Sequence, residues 1–199
     1  FYFSKLEALH EPPRYPVIIK PNDESDALGI SERSVCSNFP ELCQQAQFLF
    51  HNFTCGVIVE EFIPGEEWKV AVIGNGENAK SYGCVNTLKR GKSMENTLQT
   101  RDDVVAASLS YRQPLKKTIV EKALHQAKLI HQKLGLGDYS RCDFRLGIHD
   151  DLYCMEVSTH PYLSDHNSSF VCAAKQTLDN IENIFQKIVD SAMKRNGIY

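Results

Sequence analysis

The chain has 199 residues, a formal net charge of -3 and 42% hydrophobic residues, which is enough apolar material for one sizeable core or two smaller lobes. This composition excludes a fibre or a disordered linker, and 22 basic against 25 acidic residues give no field that would draw the molecule to nucleic acid or to an anionic membrane. Seven scattered cysteines without a CxxC pair, and no apolar stretch of about 20 residues, indicate reduced thiols, a cytoplasmic location and no membrane span.

The first elements of the chain are a strand, a loop and a helix. Residues 16–21 are an apolar run that ends on Lys20 and Pro21, which predicts a short buried strand. Residues 22–31 are small and acidic, which predicts a loop or a loose hairpin turn. Asn38 precedes apolar residues at helical spacing, so we expect its side chain to cap a helix.

The middle of the chain predicts strands and then a long connection. Residues 57–63 and 68–73 indicate two strands joined by a tight turn at Pro64 and Gly65, and residues 81–85 indicate a third. From Asn86 to Pro114 the periodicity fades, which predicts either a solvated surface loop or a lid that covers phosphates. This connection carries four basic residues: Lys89, Arg90, Lys92 and Arg101.

Two amphipathic helices are predicted in the second half. Residues 114–135 place apolar side chains on one stripe, which ends at Gly135. Residues 178–192 show the same periodicity near the C-terminus.

The residues between these helices predict an antiparallel hairpin. Residues 139–146 and 152–158 alternate polar and apolar side chains around a turn-like segment, 149–151. A turn centred between His149 and Asp150 places Asp143 opposite Glu156. The same register gives two more pairs on that face and two on the core face: Arg141–Ser158, Arg145–Cys154, Phe144–Met155 and Cys142–Val157.

Two opposed carboxylates repel each other, so this pair needs a compensating charge. A shared proton is one remedy, but Arg141 and Arg145 on the same face favour the ionised forms of Asp143 and Glu156. A Mg²⁺ ion is the other remedy, because it binds a few carboxylate oxygens and leaves positions for water and phosphate. An ordinary surface network of carboxylates and arginines explains the hairpin equally well.

Other residues are suited to a nucleotide. Lys20 ends a buried strand, a position from which its ammonium can neutralise a phosphate. Glu60 and Glu61, followed by Phe62 and Ile63, are similar to the edge of a purine slot.

Four motifs in order resemble the ATP-grasp superfamily and, within it, the D-alanine:D-alanine ligase type. The resemblance runs from residue 16 to about residue 170. The motifs are PVIIKP at 16–21 with Gly29 downstream, VEEFIPGEE at 59–67, RCD at 141–143 and MEVSTHP at 155–161.

The resemblance implies an α+β ATP-grasp fold, in which two α+β lobes with antiparallel sheets hold ATP between them. We expect a small lobe over residues 1–80, with the adenine hinge near 60–63, and a large lobe over 81–199, with the metal-binding hairpin at 139–158. The N-terminal domain that precedes the ATP-grasp core in such ligases is expected to be absent before Phe1.

The resemblance also assigns roles to individual residues. They divide into nucleotide ligands, metal ligands and one catalytic group. Lys20 contacts the ATP phosphates, Glu60, Glu61, Phe62 and Ile63 bind adenine, Glu67 binds the ribose, Asp143, Glu156 and Ser158 bind Mg²⁺ (or Mn²⁺), and Arg141 stabilises the transferring phosphoryl group.

The implied function is an ATP- and Mg²⁺-dependent carboxylate–amine ligase that forms an amide bond through an acyl phosphate. Its partners are small molecules, and a homodimer is expected because members of the family are often dimers. A non-catalytic or regulatory ATP-binding domain and an interaction scaffold are the alternatives. Three departures from the family favour the non-catalytic or regulatory domain: the acidic loop at 22–29, Ser158 in place of asparagine, and Tyr162 in place of glycine. His160 and His166 are expected to be structural or solvent-facing.

Overall fold

The computed structural model describes residues 1–89, 92–93, 98–165 and 168–198. They form two compact units. The first comprises Phe1–Ile63 and residues 98–108, and the second comprises the other described residues from Pro64 onwards. All seven cysteines are free thiols, as the sequence predicts. Within the described residues, no helix has both the length and the apolar character needed to cross a bilayer.

The first unit is built on a four-stranded antiparallel sheet with the order β1-β4-β2-β3. Its strands are β1 (Tyr2–Phe3), β2 (Val17–Pro21), β3 (Val35–Cys36) and β4 (Val57–Glu61), and its helices are α1 (Phe39–Asn52) and α2 (Arg101–Val105). The predicted strand at 16–21 and the predicted helix after Asn38 are confirmed. Leu42, Ala46 and Leu49 of α1 are fully buried against the sheet.

The start of α1 shows why Asn38 determines it. Its side-chain oxygen accepts a hydrogen bond from the backbone N–H of Glu41 at 3.0 Å. The Glu41 carboxylate in turn accepts one from the N–H of Ser37 at 2.7 Å. These bonds satisfy N–H groups near the start of the helix that have no partner inside it.

The second unit is built on a six-stranded sheet. Five strands follow the order β10-β9-β5-β6-β7, and β8 also pairs with β6. The strands are β5 (Gly65–Ile73), β6 (Lys80–Lys89), β7 (Lys92–Ser93), β8 (Leu109–Arg112), β9 (Tyr139–Gly147) and β10 (Leu152–Ser158), and the helices are α3 (Lys117–Lys133), α4 (Ser169–Leu178) and α5 (Ile181–Arg195).

Each face of this sheet is covered by helices. Trp68, Val70 and Phe144 pack on one face with residues of α3. Ala71 and Ile73 point to the other face and pack with residues of α4 and α5. Because side chains alternate along a strand, Glu67 and Lys69 of β5 share the second face with Ala71.

Residues 62–64 form a short connection between β4 and β5, as the sequence predicts, but these two strands do not pair with each other. β4 and β5 lie in different sheets, and the two units meet in sequence between Ile63 and Pro64, whereas we expected a boundary at residue 80. Gly65 instead pairs with Gly147 of β9. A Cβ at Gly65 would lie 1.8 Å from the Leu146 carbonyl oxygen, so only glycine permits this approach.

The prediction of an unstructured connection over 86–114 is wrong. β6 continues to Lys89, and α2 and β8 follow further along. α2 starts with a capping box that was missed: Thr100 accepts from the N–H of Asp103, whose carboxylate accepts from the N–H of Thr100 at 3.1 Å. Arg90 lies outside the described residues.

The amphipathic helices α3 and α5 are confirmed, and α4 was not predicted. Leu178, expected in the C-terminal helix, ends α4 instead. Phe170, Val171 and Ala173 of α4 are buried and belong to the core on the second face of the sheet.

Candidate functional site

The hairpin brings the two predicted metal-binding carboxylates together. Asp143 of β9 pairs with Glu156 of β10, and Arg141 pairs with Ser158, as the sequence predicts. Cys142 also pairs with Val157. The opposition of Asp143 and Glu156 is therefore confirmed.

The rest of the predicted hairpin register is wrong. A bulge between Cys154 and Glu156 shifts the pairing by one residue. Arg145 therefore pairs with Tyr153, and Phe144 pairs with Cys154. The predicted pairs Arg145–Cys154 and Phe144–Met155 are not formed, and Met155 is 40% exposed instead of buried in the core.

Lys69 lies directly beside the predicted metal ligand. Its ammonium nitrogen Nζ is 2.9 Å from Oδ2 of Asp143 and 2.7 Å from Oε1 of Glu67. The pairing of β5 with β9 produces this contact, because it places Lys69 opposite Asp143. Sequence reasoning missed Lys69, although a lysine within the apolar run 68–73 was a visible signal.

Arg141 holds the same carboxylate in a two-point contact. Its Nε donates to Oδ1 of Asp143 at 2.6 Å, and its Nη2 donates to Oδ2 at 2.8 Å. Arg145, which we expected beside Asp143, has its Nη1 4.0 Å from Oε2 of Glu67. Both oxygens of Asp143 are therefore engaged by two cations.

This contact network sets the protonation states. Burial raises the pKa of the Asp143 carboxyl, but Lys69 and Arg141 outweigh burial and hold that pKa below its ordinary value. Burial lowers the pKa of Lys69, and Asp143 and Glu67 outweigh it in the opposite direction. At neutral pH the carboxylate is ionised and the amine is protonated. Lys69 and Asp143 are only 5% and 6% exposed, so this is a buried ion pair.

Glu156 and Ser158 complete the group. Glu156 is exposed, and its carboxylate has no hydrogen bond or ion pair within the described part of the chain, although its charge acts on Arg141. Ser158 is half-buried. The charges of the group balance, since three carboxylates face three cations: Glu67, Asp143 and Glu156 against Lys69, Arg141 and Arg145.

These residues, as they stand, do not fit a divalent cation. Mg²⁺ is coordinated by oxygen atoms in a near-octahedral arrangement and therefore needs carboxylate oxygens that are free to bind it. Both oxygens of Asp143 already accept hydrogen bonds from Lys69 and Arg141. No group of three or more His, Cys, Asp or Glu side chains suited to a metal exists in the parts of the chain that the structure describes. Glu156 alone offers an open carboxylate.

The nucleotide-binding residues predicted in the first unit form a second cluster. Nζ of Lys20 is 2.6 Å from Oε2 of Glu60, across the β2–β4 pair. Glu61 forms an exposed ion pair with Arg14 at 2.9 Å. The N–H of Phe62 donates to the Pro16 carbonyl at 3.0 Å, which ties the predicted adenine hinge to the start of β2.

The acidic loop after β2 is held by α2. Arg101 donates from Nη1 to the Asp26 carbonyl at 3.2 Å, and its N–H donates to the Ile30 carbonyl at 3.3 Å. Gly29 adopts a φ of +78°, and a Cβ there would lie 2.5 Å from Cγ of Pro21. Asp23, Glu24 and Asp26 are exposed. Arg101, one of the basic residues of the predicted lid, therefore fixes this loop.

The comparison with known proteins decides the family. Residues 4–190 match the family described as D-ala D-ala ligase C-terminus. The chain belongs to this family. It is 30% identical over 187 residues to the D-alanine–D-alanine ligase of Halalkalibacterium halodurans, a match that covers 91% of this chain and 57% of that protein. The chain thus spans about half the length of the curated relatives it matches.

Solved structures of this ligase family agree with the fold. The D-alanine–D-alanine ligase of Bacillus anthracis, complexed with ATP, superposes with a TM-score of 0.74 at 17% identity, over 98% of this chain and 59% of that one. The VanG D-Ala:D-Ser ligase of Enterococcus faecalis gives a TM-score of 0.72 at 21% identity, over 95% and 55% of the two chains. The predicted α+β ATP-grasp fold is confirmed.

In the described part of this ligase-family chain, no histidine hydrogen-bonds to a side chain of either cluster, and the Cys154 thiol reaches only the backbone carbonyl of Glu156, at 3.8 Å. His160 is exposed, with Nδ1 3.0 Å from the hydroxyl oxygen of Thr159, and His166 lies outside the described residues. Tyr162 is 69% exposed. Burial raises the pKa of the Cys142 thiol to about 12, so it is not a nucleophile at neutral pH.

Proposed function

We propose that this chain supplies the ATP-binding part of a ligase that joins a carboxylate to an amine. Its membership of the D-ala D-ala ligase C-terminus family over residues 4–190 carries the proposal. The structure of the Bacillus anthracis ligase is a complex with ATP, which supports ATP as the nucleotide. Relatives named for D-alanine and D-serine ligation favour amino acids as the small-molecule substrates.

The proposed reaction has two steps. A carboxylate oxygen of the first substrate attacks the γ-phosphorus of ATP, and the bond from that phosphorus to ADP breaks, which gives an acyl phosphate. The amine nitrogen of the second substrate then attacks the acyl carbon, and the carbon–oxygen bond to phosphate breaks. The amine proton passes to solvent or to the departing phosphate, so no histidine base is needed.

Arg141 is the residue proposed to stabilise the transferring phosphoryl group. A guanidinium has five N–H donors, and Asp143 engages only those of Nε and Nη2. The remaining N–H groups of Arg141 have no partner in the described ranges and can face a phosphoryl oxygen. Asp143 holds the guanidinium plane in a fixed orientation, so less conformational entropy is lost when Arg141 contacts a phosphoryl group.

The other assignments are proposals for the nucleotide. Lys20 would neutralise a phosphate, Glu60 to Ile63 would bind adenine, and Glu67 would bind the ribose. Binding of Mg²⁺ (or Mn²⁺) by Asp143, Glu156 and Ser158 stays a prediction, and no step above depends on it. A homodimer and a cytoplasmic location also stay predictions.

The experiment is a phosphate-release assay with ATP and pairs of amino acids, on the longest natural protein that contains this chain. We expect release to require both amino acids, and Arg141→Met to lower kcat about 100-fold or more. Arg195→Met is the matched control, because Arg195 makes a similar two-point contact with Asp138 in the same unit. Release that is unaffected by Arg141→Met, or equal loss in both variants, would contradict the role of Arg141.

A regulatory or non-catalytic ATP-binding domain is the second candidate. It is favoured by the exposed acidic side chains of the loop at 22–29, which are poorly suited to a triphosphate, and by an Asp143 that is already neutralised. This candidate predicts that nucleotide binds in calorimetry while no amino-acid pair releases phosphate. Failure to bind any nucleotide would instead favour an interaction scaffold.

A further inference from the structure

We propose that the second unit carries a binding site for a small polyphosphate, in a cavity between the β5–β6 hairpin and α5. The cavity has a volume of about 420 Å³, and its basic lining residues are Lys80, Lys187, Lys194 and Arg195. No residue of the Lys69–Asp143 cluster lines it. Ile73, where β5 reaches the cavity, is four residues beyond Lys69, about 13 Å along an extended strand. The site is therefore separate from the one that the ligase reaction would use.

The charge of this lining is unbalanced. Its four cations face a single carboxylate, that of Asp190, whereas the whole chain has a net charge of -3. Asp138, which is not part of the lining, neutralises Arg195. The three lysines are exposed and form no ion pair with any residue that the structure describes. An anion with several charges would supply the missing counter-charge.

The dipole of α5 explains only part of this lining. Lys194 and Arg195 lie in the last turn of α5, where cations offset the partial negative charge of the helix end. Lys187 lies two turns earlier on the same side of the helix, about 10 Å away along its axis. Lys80 begins β6 and pairs with Ile73. Neither Lys187 nor Lys80 acts at a helix end, so their convergence on the cavity needs another reason.

The frame of the cavity is held by hydrogen bonds between distant segments. Nδ2 of Asn75 donates to the Ser191 hydroxyl at 2.8 Å and to the Ser191 carbonyl at 3.0 Å, which ties the β5–β6 turn to α5. Arg195 donates to both carboxylate oxygens of Asp138, from Nε at 3.1 Å and from Nη2 at 2.6 Å. The frame is therefore formed before any ligand arrives, and binding has to order only the lysine side chains.

The donors of the cavity favour phosphate over carboxylate. The planar fork of an arginine matches a carboxylate, whereas a lysine ammonium binds phosphate as a point charge. The fork of Arg195 is occupied by Asp138, which leaves the three ammonium groups. Burial raises the pKa of Tyr82, so its hydroxyl, which also lines the cavity, stays a neutral donor. Lysines on two separate elements suit a ligand with two or more phosphate groups.

The test is isothermal titration calorimetry with sodium tripolyphosphate, without metal or amino acids, on the longest natural protein that contains this chain. We expect binding that weakens as salt is added, because the lysines are exposed. Lys187→Met combined with Lys194→Met should weaken binding at least about tenfold, since two direct charge contacts are lost. The matched control is Lys122→Met combined with Lys133→Met. It removes two exposed lysines of α3 and the same charge, and should change the affinity less than about twofold.

Lysine acetylation followed by mass spectrometry locates the bound probe. Tripolyphosphate should protect Lys80, Lys187 and Lys194 from acetylation, because an ammonium that is paired with an anion is deprotonated less readily. Lys122 should react equally with and without the probe. Arg141→Met should leave the protection of Lys187 unchanged, because the two residues belong to separate sites.

Three results would overturn the proposal: no binding of tripolyphosphate, protection of Lys20 alone, or an affinity that Lys187→Met with Lys194→Met does not change. Citrate that binds as tightly as tripolyphosphate would overturn the assignment to phosphate. If the lysine variant does not fold, as judged by circular dichroism, the protection pattern of the unchanged protein still decides. Failure here leaves the ligase proposal standing, and failure of the phosphate-release assay leaves this site standing.

Discussion

Gly83 is a position where one added methyl group should strongly destabilise the second unit. It lies on β6 where α4 crosses the sheet, and the Cβ of an alanine there would lie 2.0 Å from the Ala173 carbonyl oxygen. Gln176 and Thr177 of α4 attach to the same stretch of β6. Gln176 donates to the Cys84 carbonyl at 2.7 Å and accepts from its N–H at 3.2 Å, and Thr177 donates to the Tyr82 carbonyl at 2.6 Å.

The magnitude follows from how far α4 must move. An ordinary contact begins at 3.4 Å, so Gly83→Ala requires a shift of about 1.4 Å. That movement opens the packing around Phe170 and Val171, which are fully buried, and stretches the hydrogen bonds from α4 to β6. Overpacking costs about 1–3 kcal/mol and each weakened bond about 1 kcal/mol. We expect a loss of about 3 kcal/mol or more in the free energy of unfolding.

Urea denaturation measures this loss, and the fluorescence of Trp68 reports on the second unit because Trp68 is the single tryptophan and is buried there. Gly137→Ala is the matched control. A Cβ at Gly137 meets no atom closer than 3.6 Å, so its effect should stay within about 0.5 kcal/mol. If Gly83→Ala changed stability as little as Gly137→Ala does, the close seating of α4 on β6 would be refuted.

Two more predictions concern buried polar groups of the second unit. His131 is fully buried, with Nε2–H donating to the Gly74 carbonyl at 3.0 Å and Nδ1 2.7 Å from the Ser140 hydroxyl. Burial lowers its pKa below the ordinary 6.5, so the unfolded chain binds the proton first and stability should fall as pH drops below about 6.5. Urea titrations across pH should show that His131→Gln lacks this decline, and an unchanged pH profile would contradict the reasoning. In a double-mutant cycle on unfolding free energy, Lys69→Met and Asp143→Asn should couple by about 2 kcal/mol, whereas additive losses would mean that the ion pair contributes nothing.

The local part of the fold could be predicted from the sequence. The polar–apolar alternation on both sides of residues 149–151 predicted the two strands of the hairpin, because strand side chains repeat every two residues. The helix cap at Asn38 and the apolar stripe of α3 could also be predicted from the sequence, because a cap and a helical face depend on residues only three or four positions apart. The bulge at Met155 could not be predicted from the sequence, because the alternation of polar and apolar residues does not reveal one extra residue in a strand.

Two features could be seen only in the tertiary structure, because they depend on contacts between distant segments of the chain. β4 and β5 belong to different units. β5 begins at Gly65, which pairs with Gly147, 82 positions further along the chain. Lys69 reaches Asp143 across 74 positions. The sequence therefore determined which chemical groups the chain carries, namely the acids, Arg141 and Lys20 at the positions of the family motifs. The pairing of β5 with β9 decided that Asp143 carries its own ammonium counter-ion, because strand register between remote segments is set by the packing of the whole sheet.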